Sequence, residues 1–237
     1  SCQGKCFPIL NHMLTGLAVD ENPLLKNLAK EKEIEIVYED DVLVVLNKPS
    51  DLLSVPGKNI KDCVLNRMIS RYPNASGPLI VHRLDMATSG IMLIAKTKEA
   101  HDHLQKQFIN RTITKRYTAI LDGVIDQSRG IIDLPLRVDL DDRPRQLVCY
   151  KNGKSSRTRF EVVGIEDEKT RIHFYPITGR THQLRVHASH FKGLNTPIIG
   201  DDLYGTKDTR LKLHAAYIAF KHPVTNKLVR YNATENF

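Results

Sequence analysis

Two short apolar runs limit the folds open to this chain more than any other feature. Val42-Leu43-Val44-Val45-Leu46 and Ile91-Met92-Leu93-Ile94-Ala95 are each five residues of unbroken hydrophobicity. Runs that brief suit strands better than buried helices. Without polar alternation they have no solvent face, so each is predicted to be a strand covered on both sides. Turn chemistry lies beside both: Asn47-Lys48-Pro49-Ser50 follows the first run, and Thr88-Ser89-Gly90 precedes the second.

Elsewhere the period changes. Val64, Leu65, Met68, Ile69 and Tyr72 recur at helical spacing, and Asp62 is placed to cap that helix. Residues 98–110 set Ala100, Leu104 and Phe108 four apart, which predicts a second helix. Further strands are predicted near 115–121, 158–165 and 171–177, then a helix near 181–191 carrying Leu184, His187 and Phe191. Strands outnumber helices without a strict βαβ rhythm. That predicts an α+β fold, a mainly antiparallel or mixed β-sheet with flanking helices. The regular pattern starts at Ile34, so residues 34–237 are expected to form the main domain. Residues 1–33 are expected to be an N-terminal appendage or the remnant of an upstream region. With 237 residues the chain can bury a core without stapling by disulfide or metal.

Charge points to the partner. The formal net charge is +8, but residues 1–60 hold 6 basic and 9 acidic side chains while the rest hold 29 and 18. The main body therefore suits a polyanion, although a merely solvated basic surface reads the same way. Cys2, Cys6, Cys63 and Cys149 are scattered, which fits a reducing compartment, and a cytoplasmic protein is expected. No apolar run approaches the roughly 18 residues of a membrane span, and no secretory-type leader is seen, so no membrane partner is expected. Cys2 and Cys6 lack further ligands, and His82, His182 and His187 fit no ligand motif, so no metal is expected. Nothing argues for more than a monomer.

Two segments concentrate chemistry. His82-Arg83-Leu84-Asp85-Met86-Ala87-Thr88-Ser89-Gly90 gathers bases, an acid and hydroxyls at the entry to a buried strand, where rigid scaffolds present reactive groups. Asp85 reads either as a reacting carboxylate or as the cap of a turn through the amides near Ala87 and Thr88. The second segment is Thr178-Gly179-Arg180-Thr181-His182-Gln183-Leu184-Arg185-Val186-His187. Gly179 permits a tight turn and Thr178 or Thr181 can cap the helix that follows. An arginine there can grip a carboxylate with its two-pronged fork, or the basic residues can form a solvated helix face. Thr88-Ser89-Gly90 lacks the G-x-S-x-G elbow of a serine hydrolase.

These segments together resemble the RluA family of pseudouridine synthases. The likeness extends upstream to Asn47-Lys48-Pro49 and Leu53-Ser54-Val55-Pro56-Gly57. Downstream it takes in Lys115-Arg116-Tyr117, then Ile199-Gly200-Asp201 with Tyr204, covering roughly residues 34–237 in order. Arg143-Pro144-Arg145-Gln146 and Cys149-Tyr150 with Gly153-Lys154 bring it nearest to the short family members of dual specificity. The resemblance implies an α+β catalytic domain with a central RNA cleft, and only about 33 residues precede it, so no S4-type domain is expected. It implies isomerisation of uridine in RNA, with 23S ribosomal RNA or transfer RNA stem-loops as partners. It makes Asp85 the essential carboxylate, Tyr117 the residue that packs on the uracil and moves the proton at C5, and Arg180 the partner of the aspartate. Leu184 lines the pocket, His82 and Arg83 bind the substrate, and Arg83 can enter the stack the base leaves. Arg143 and Arg145 belong to a basic stretch expected to touch RNA. No atom is gained or lost in the isomerisation, so no cofactor is expected. A non-catalytic RNA-binding or RNA-folding factor on the same scaffold is the alternative; binding alone needs no trio of Asp85, Tyr117 and Arg180.

Overall fold

The two apolar runs become neighbouring strands. In the computed structural model, which describes residues 33–237, β2 (Leu43–Lys48) pairs antiparallel with β4 (Ser89–Ala95) from Leu43↔Ala95 to Lys48↔Gly90. Every residue of β4 is buried. Its odd positions, Ile91 and Leu93, face a cluster with Leu43, Val45 and Leu104, while Met92 and Ile94 face another with Val44, Leu46 and Met68. Each such Leu or Ile, once buried, contributes about 1.5–3 kcal/mol, which is why the runs tolerate no polar residue on either face.

The helices supply that cover. α1 (Val64–Arg71) buries Val64 and Met68, and α2 (Lys98–Ile109) buries Ala100 and Leu104. Thr97 caps α2 through Oγ1, which accepts the Ala100 amide at 3.2 Å. The cap of α1 is not Asp62: Cys63 takes that place, its Sγ accepting the Asn66 amide at 3.4 Å. The Asp62 carboxylate instead holds Arg67, at 2.7 and 2.8 Å. A two-pronged bond to a guanidinium outweighs one bond to an amide.

The remaining strands are β1 (Glu35–Glu39), β3 (Leu79–Ile80), β5 (Thr114–Leu121), β6 (Arg129–Asp133), β7 (Leu136–Val138), β8 (Gln146–Val148), β9 (Arg157–Glu166), β10 (Lys169–Pro176), β11 (Leu213–Lys221) and β12 (Leu228–Asn232). One sheet runs in the order β1-β2-β4-β11-β5-β10-β9-β6, with β12 on β11 and β3 on β4, while β7 and β8 make a separate hairpin. Every pairing is antiparallel except β11 with β4, so the sheet is mixed. β11 is a central strand that hydrophobic pattern does not announce. Ala215, Ala216 and Ala219 give it little strand propensity, yet it joins β4 to β5. Gly90 makes that junction close. At φ +116 it sits where a Cβ would meet the Ala215 carbonyl oxygen at 2.4 Å, so no side chain fits there.

Residues 34–237 form one compact unit. The expectations for Cys2, Cys6 and the rest of 1–32 lie outside the described residues. The third helix, α3 (Gln183–Ser189), starts from an unusual residue: His182 has φ 53, a left-handed conformation, with no side-chain cap. Neither Thr178 nor Thr181 caps it. Gln183 does the local work instead, its Oε1 accepting the Arg180 amide at 3.0 Å and the Thr178 hydroxyl at 2.7 Å. No helix among the described residues is long and apolar enough to cross a membrane.

Candidate active site

The loop that enters β4 is held by its carbonyls. Four consecutive ones each accept a bond: Leu84 from Ser54 Oγ at 2.6 Å, Asp85 from the Thr88 amide at 3.1 Å, Met86 from Lys48 Nζ at 2.9 Å, and Ala87 from Ser50 Oγ at 2.8 Å. Three of those donors come from the last residue of β2 and the segment that follows it. The turn is thus closed by backbone, not by the Asp85 side chain, whose carboxylate makes no hydrogen bond among the described residues. Among the described residues it is the one acidic group lining a cavity of about 590 Å³, within the range of small-molecule sites.

Loop 82–88, the start of β5 and the turn 178–182 build that cavity. Asp85, Tyr117, Arg180, His82, Arg83 and Leu184 all line it. The structure therefore brings together six of the eight residues singled out from sequence. Arg143 and Arg145 line no part of it; they lie in the loop between β7 and β8, where Arg145 Nε sits 3.1 Å from Asp142. His82 is bonded into the scaffold: its Nε2 accepts the Leu93 amide at 3.0 Å and its ring lies 4.7 Å from that of Phe108. Burial holds its pKa down at about 3, so it is neutral. Tyr117 is embedded between two core clusters. Burial first, and the Asp85 charge second, push its hydroxyl well above the ordinary value.

Arg180 does not pair with Asp85. Its Nε donates to the Ser155 carbonyl at 3.1 Å, which turns the guanidinium along the rim. A buried cation near the carboxylate is Arg185, five residues further on and 3% exposed. Its Nε and Nη2 bind the two oxygens of Asp201 at 2.9 and 2.5 Å, and Nη2 also reaches Asp202 at 3.0 Å. Its pKa is raised: burial works against the charge, while the bond to Asp201 and the fields of Asp201, Asp85 and Asp202 outweigh it. Asp201 is itself fully buried and accepts the amides of Leu203 and Tyr204 at 3.1 and 3.0 Å.

Sequence reasoning passed over Arg185, Asp201 and Lys48 as site residues. Lys48 is fully buried, with Nζ 2.8 Å from the carbonyls of Pro49 and Leu52 as well as 2.9 Å from Met86. Burial draws its pKa down to about 7, opposed by Asp51 and Asp85. Its three carbonyls match the three hydrogens of an ammonium, which favours the charged form. The Asn47-Lys48-Pro49 motif carried a signal for it, but nothing in the motif gave depth.

A second hollow of about 500 Å³ adjoins the first and shares Phe108, Lys115, Pro176, Thr178, Gly179 and Arg180 with it. Arg111, Lys115, Arg159 and Arg180 line it, and no carboxylate does among the described residues. Arg159 stacks over the Tyr175 ring at 3.8 Å. A planar cation on an aromatic face, beside three more cations, suits a nucleotide.

A single unbonded carboxylate in a cavity that adjoins a basic groove on an α+β sheet is the arrangement of an enzyme whose substrate is a nucleic acid. The solved structure of human RNA pseudouridylate synthase domain containing 1 has the same fold, with TM-score 0.71 and 29% identity over 86% of this chain and 84% of that one. The human domain containing 4 protein matches with TM-score 0.68 and 26% identity over 89% and 90%. A sequence model of the RNA pseudouridylate synthase family matches residues 42–190. The dual-specificity RNA pseudouridine synthase RluA of Vibrio cholerae is 44% identical over 204 residues, 83% of this chain and 81% of the relative. That of Escherichia coli K12 is 42% identical over 219 residues, 89% and 97%. The chain belongs to the RNA pseudouridylate synthase family. It is an isomerase that converts uridine in RNA to pseudouridine, and the reading as a binding factor without chemistry falls away.

Proposed function

We propose that residues 34–237 act as a pseudouridine synthase on stem-loops of ribosomal RNA, 23S in particular, and of transfer RNA, with Asp85 as the reacting carboxylate. The observation that carries this reading is the unbonded Asp85 side chain on a loop whose four carbonyls are all tied down. A carboxylate so placed costs no reorganisation when it acts. It either attacks C1′ or removes the C2′ proton while the N1–C1′ bond breaks. The uracil then turns, C5 joins C1′, and the C5 proton departs as N1 gains one.

Around Asp85 each neighbour has a task. Arg185 supplies a positive field beside the carboxylate, and Asp201 holds that guanidinium in place. Tyr117 offers its ring to the uracil and its hydroxyl to the proton at C5. Leu184 walls the base from water. Extruding the uridine costs a few kcal/mol, least in a loop, and stacking returns about 1–3 kcal/mol. Arg83, exposed at the mouth, fills the vacated stack. Arg180 and the groove with Arg159 take the phosphates and the flanking nucleotide. Arg143 and Arg145, on the β7–β8 loop, reach the stem. Relatives named for dual specificity support a pair of RNA classes, and the cytoplasm, where both are found, is the place of action, with the chain as a monomer.

The test is to incubate the protein with 23S fragments and transfer RNA carrying tritium at uracil C5. Release of tritium from both, at discrete uridines, is the expected result. Release from neither overturns the substrate assignment.

A further inference from the structure

We infer that His182 holds the detached uracil by a carbonyl oxygen while the base turns, and that Tyr204 fixes the tautomer this requires. The inference rests on the proposed function above and assigns a role to two residues that reading leaves idle.

His182 lines the catalytic cavity and is 8% exposed. Its Nδ1 lies 2.8 Å from the Tyr204 hydroxyl, and its ring meets that of Tyr204 edge-on at 5.6 Å. Tyr204 does not line the cavity, so Nδ1 faces away from it and Nε2 faces the opposite side. The Tyr204 oxygen already accepts the Gln146 amide at 2.7 Å. Its single hydrogen has no other acceptor among the described residues, so it goes to Nδ1. The bonding pattern therefore assigns the proton of a neutral imidazole to Nε2. Burial keeps the ring neutral against the pull of Asp85, with Arg185 assisting and Asp201 and Asp202 opposing. Nε2–H has no partner among the described residues: it is a nearly buried donor presented to the cavity. The backbone agrees. His182 sits at φ 53, a conformation non-glycine residues rarely adopt, and Gln183 ties the adjoining chain to Thr178, Arg180, Arg157 and Thr158. Strain maintained this tightly at a cavity wall marks a side chain that must be aimed.

Uracil gives such a donor an unusual use. Turning the ring by a half-turn about the line through N3 and C6 exchanges N1 with C5, and O2 with O4. The same Nε2–H that meets one carbonyl before the turn meets the other after it. A single fixed donor thus retains the base in both orientations, when no covalent bond does.

Single-turnover pseudouridine formation at saturating enzyme, on RNA with uridine, 2-thiouridine or 4-thiouridine at the target, tests this. Sulfur is a weak acceptor, so either thio substitution should slow the wild type by roughly tenfold, the worth of one hydrogen bond. His182→Asn suits the left-handed backbone but loses the far donor; it should slow the uridine substrate by about as much and react equally with all three RNAs. His182→Gln, whose amide reaches further, should recover part of the rate. Tyr204→Phe should give an intermediate rate at saturating enzyme with the Kd for RNA unchanged, because His182 then samples both tautomers. Equal thio effects in wild type and His182→Asn would overturn the inference. Inactivity of the wild type on every RNA would instead strike the proposed function.

Discussion

Lys48 donates to the carbonyl of Met86, the residue after Asp85, at 2.9 Å. A charge from the end of one core strand thereby fixes the loop that enters the next. Burying a lysine is costly unless every hydrogen finds an acceptor, and here Pro49, Leu52 and Met86 provide three. Lys48→Met leaves those carbonyls dry, at about 1–3 kcal/mol each, partly offset by the charge removed. A drop in Tm of about 4–8 °C and slower single-turnover chemistry are expected from thermal melts and quench-flow. A variant that melts and reacts like the wild type would separate Lys48 from the loop.

The two arginines of the second segment should behave differently. Arg185→Ala strands Asp201 in the interior, and breaking a buried pair of this kind costs about 3–5 kcal/mol. Thermal melts should show that loss, and Arg185→Lys should recover only part because it lacks the fork. Arg180→Ala should melt like the wild type and raise KM. The reverse pattern would restore Arg180 as the partner of Asp85.

Acid should loosen the fold through buried imidazoles. His187 and His214 have pKa values held down at about 4 by burial, against an ordinary 6.5. Unfolded, both bind protons below pH 6.5; folded, they resist until about pH 4. Their contribution is therefore full above 6.5 and lost as pH falls to about 4, up to about 3 kcal/mol each. Urea titrations across that window should show stability falling with pH, and His214→Asn should flatten the slope. A flat profile in the wild type would contradict neutral burial.

RNA affinity should depend steeply on salt. For single-stranded or loop RNA, log K falls by about 0.7 per log unit of salt for each phosphate neutralised. Arg159→Ala should flatten the slope by about that amount while leaving single-turnover rate at saturation unchanged. Arg143→Ala with Arg145→Ala should do likewise if the β7–β8 loop meets the stem. Slopes equal to the wild type would return these residues to solvent.

Sequence reached the parts of this molecule governed by local pattern. The runs at 42–46 and 91–95, the helices at 64–71 and 98–109, and the loop bearing Asp85 all follow from spacing and turn chemistry. What it missed depends on distance along the chain. Asp62 looked like a cap because Arg67 was not seen as a competitor. β11 stayed hidden because alanines carry no strand signal and its place is set by β4 and β5. Arg180 and Arg185 lie in one motif, and only packing shows that Arg185 is the one buried against Asp201. Lys48 lies in a recognisable motif, but a lysine is ordinarily at the surface, so sequence alone does not mark it as buried.

We propose that Asp85 performs the chemistry while the rest of the cavity positions it. Asp85→Asn keeps the side chain's shape and removes its charge, so binding should survive. The decisive measurement is tritium release from C5-labelled RNA under single-turnover conditions, with enzyme well above the Kd measured for each protein. No release above background is expected from Asp85→Asn, with Kd within about threefold of the wild type, a difference of well under 1 kcal/mol. Release within tenfold of the wild-type rate would contradict it.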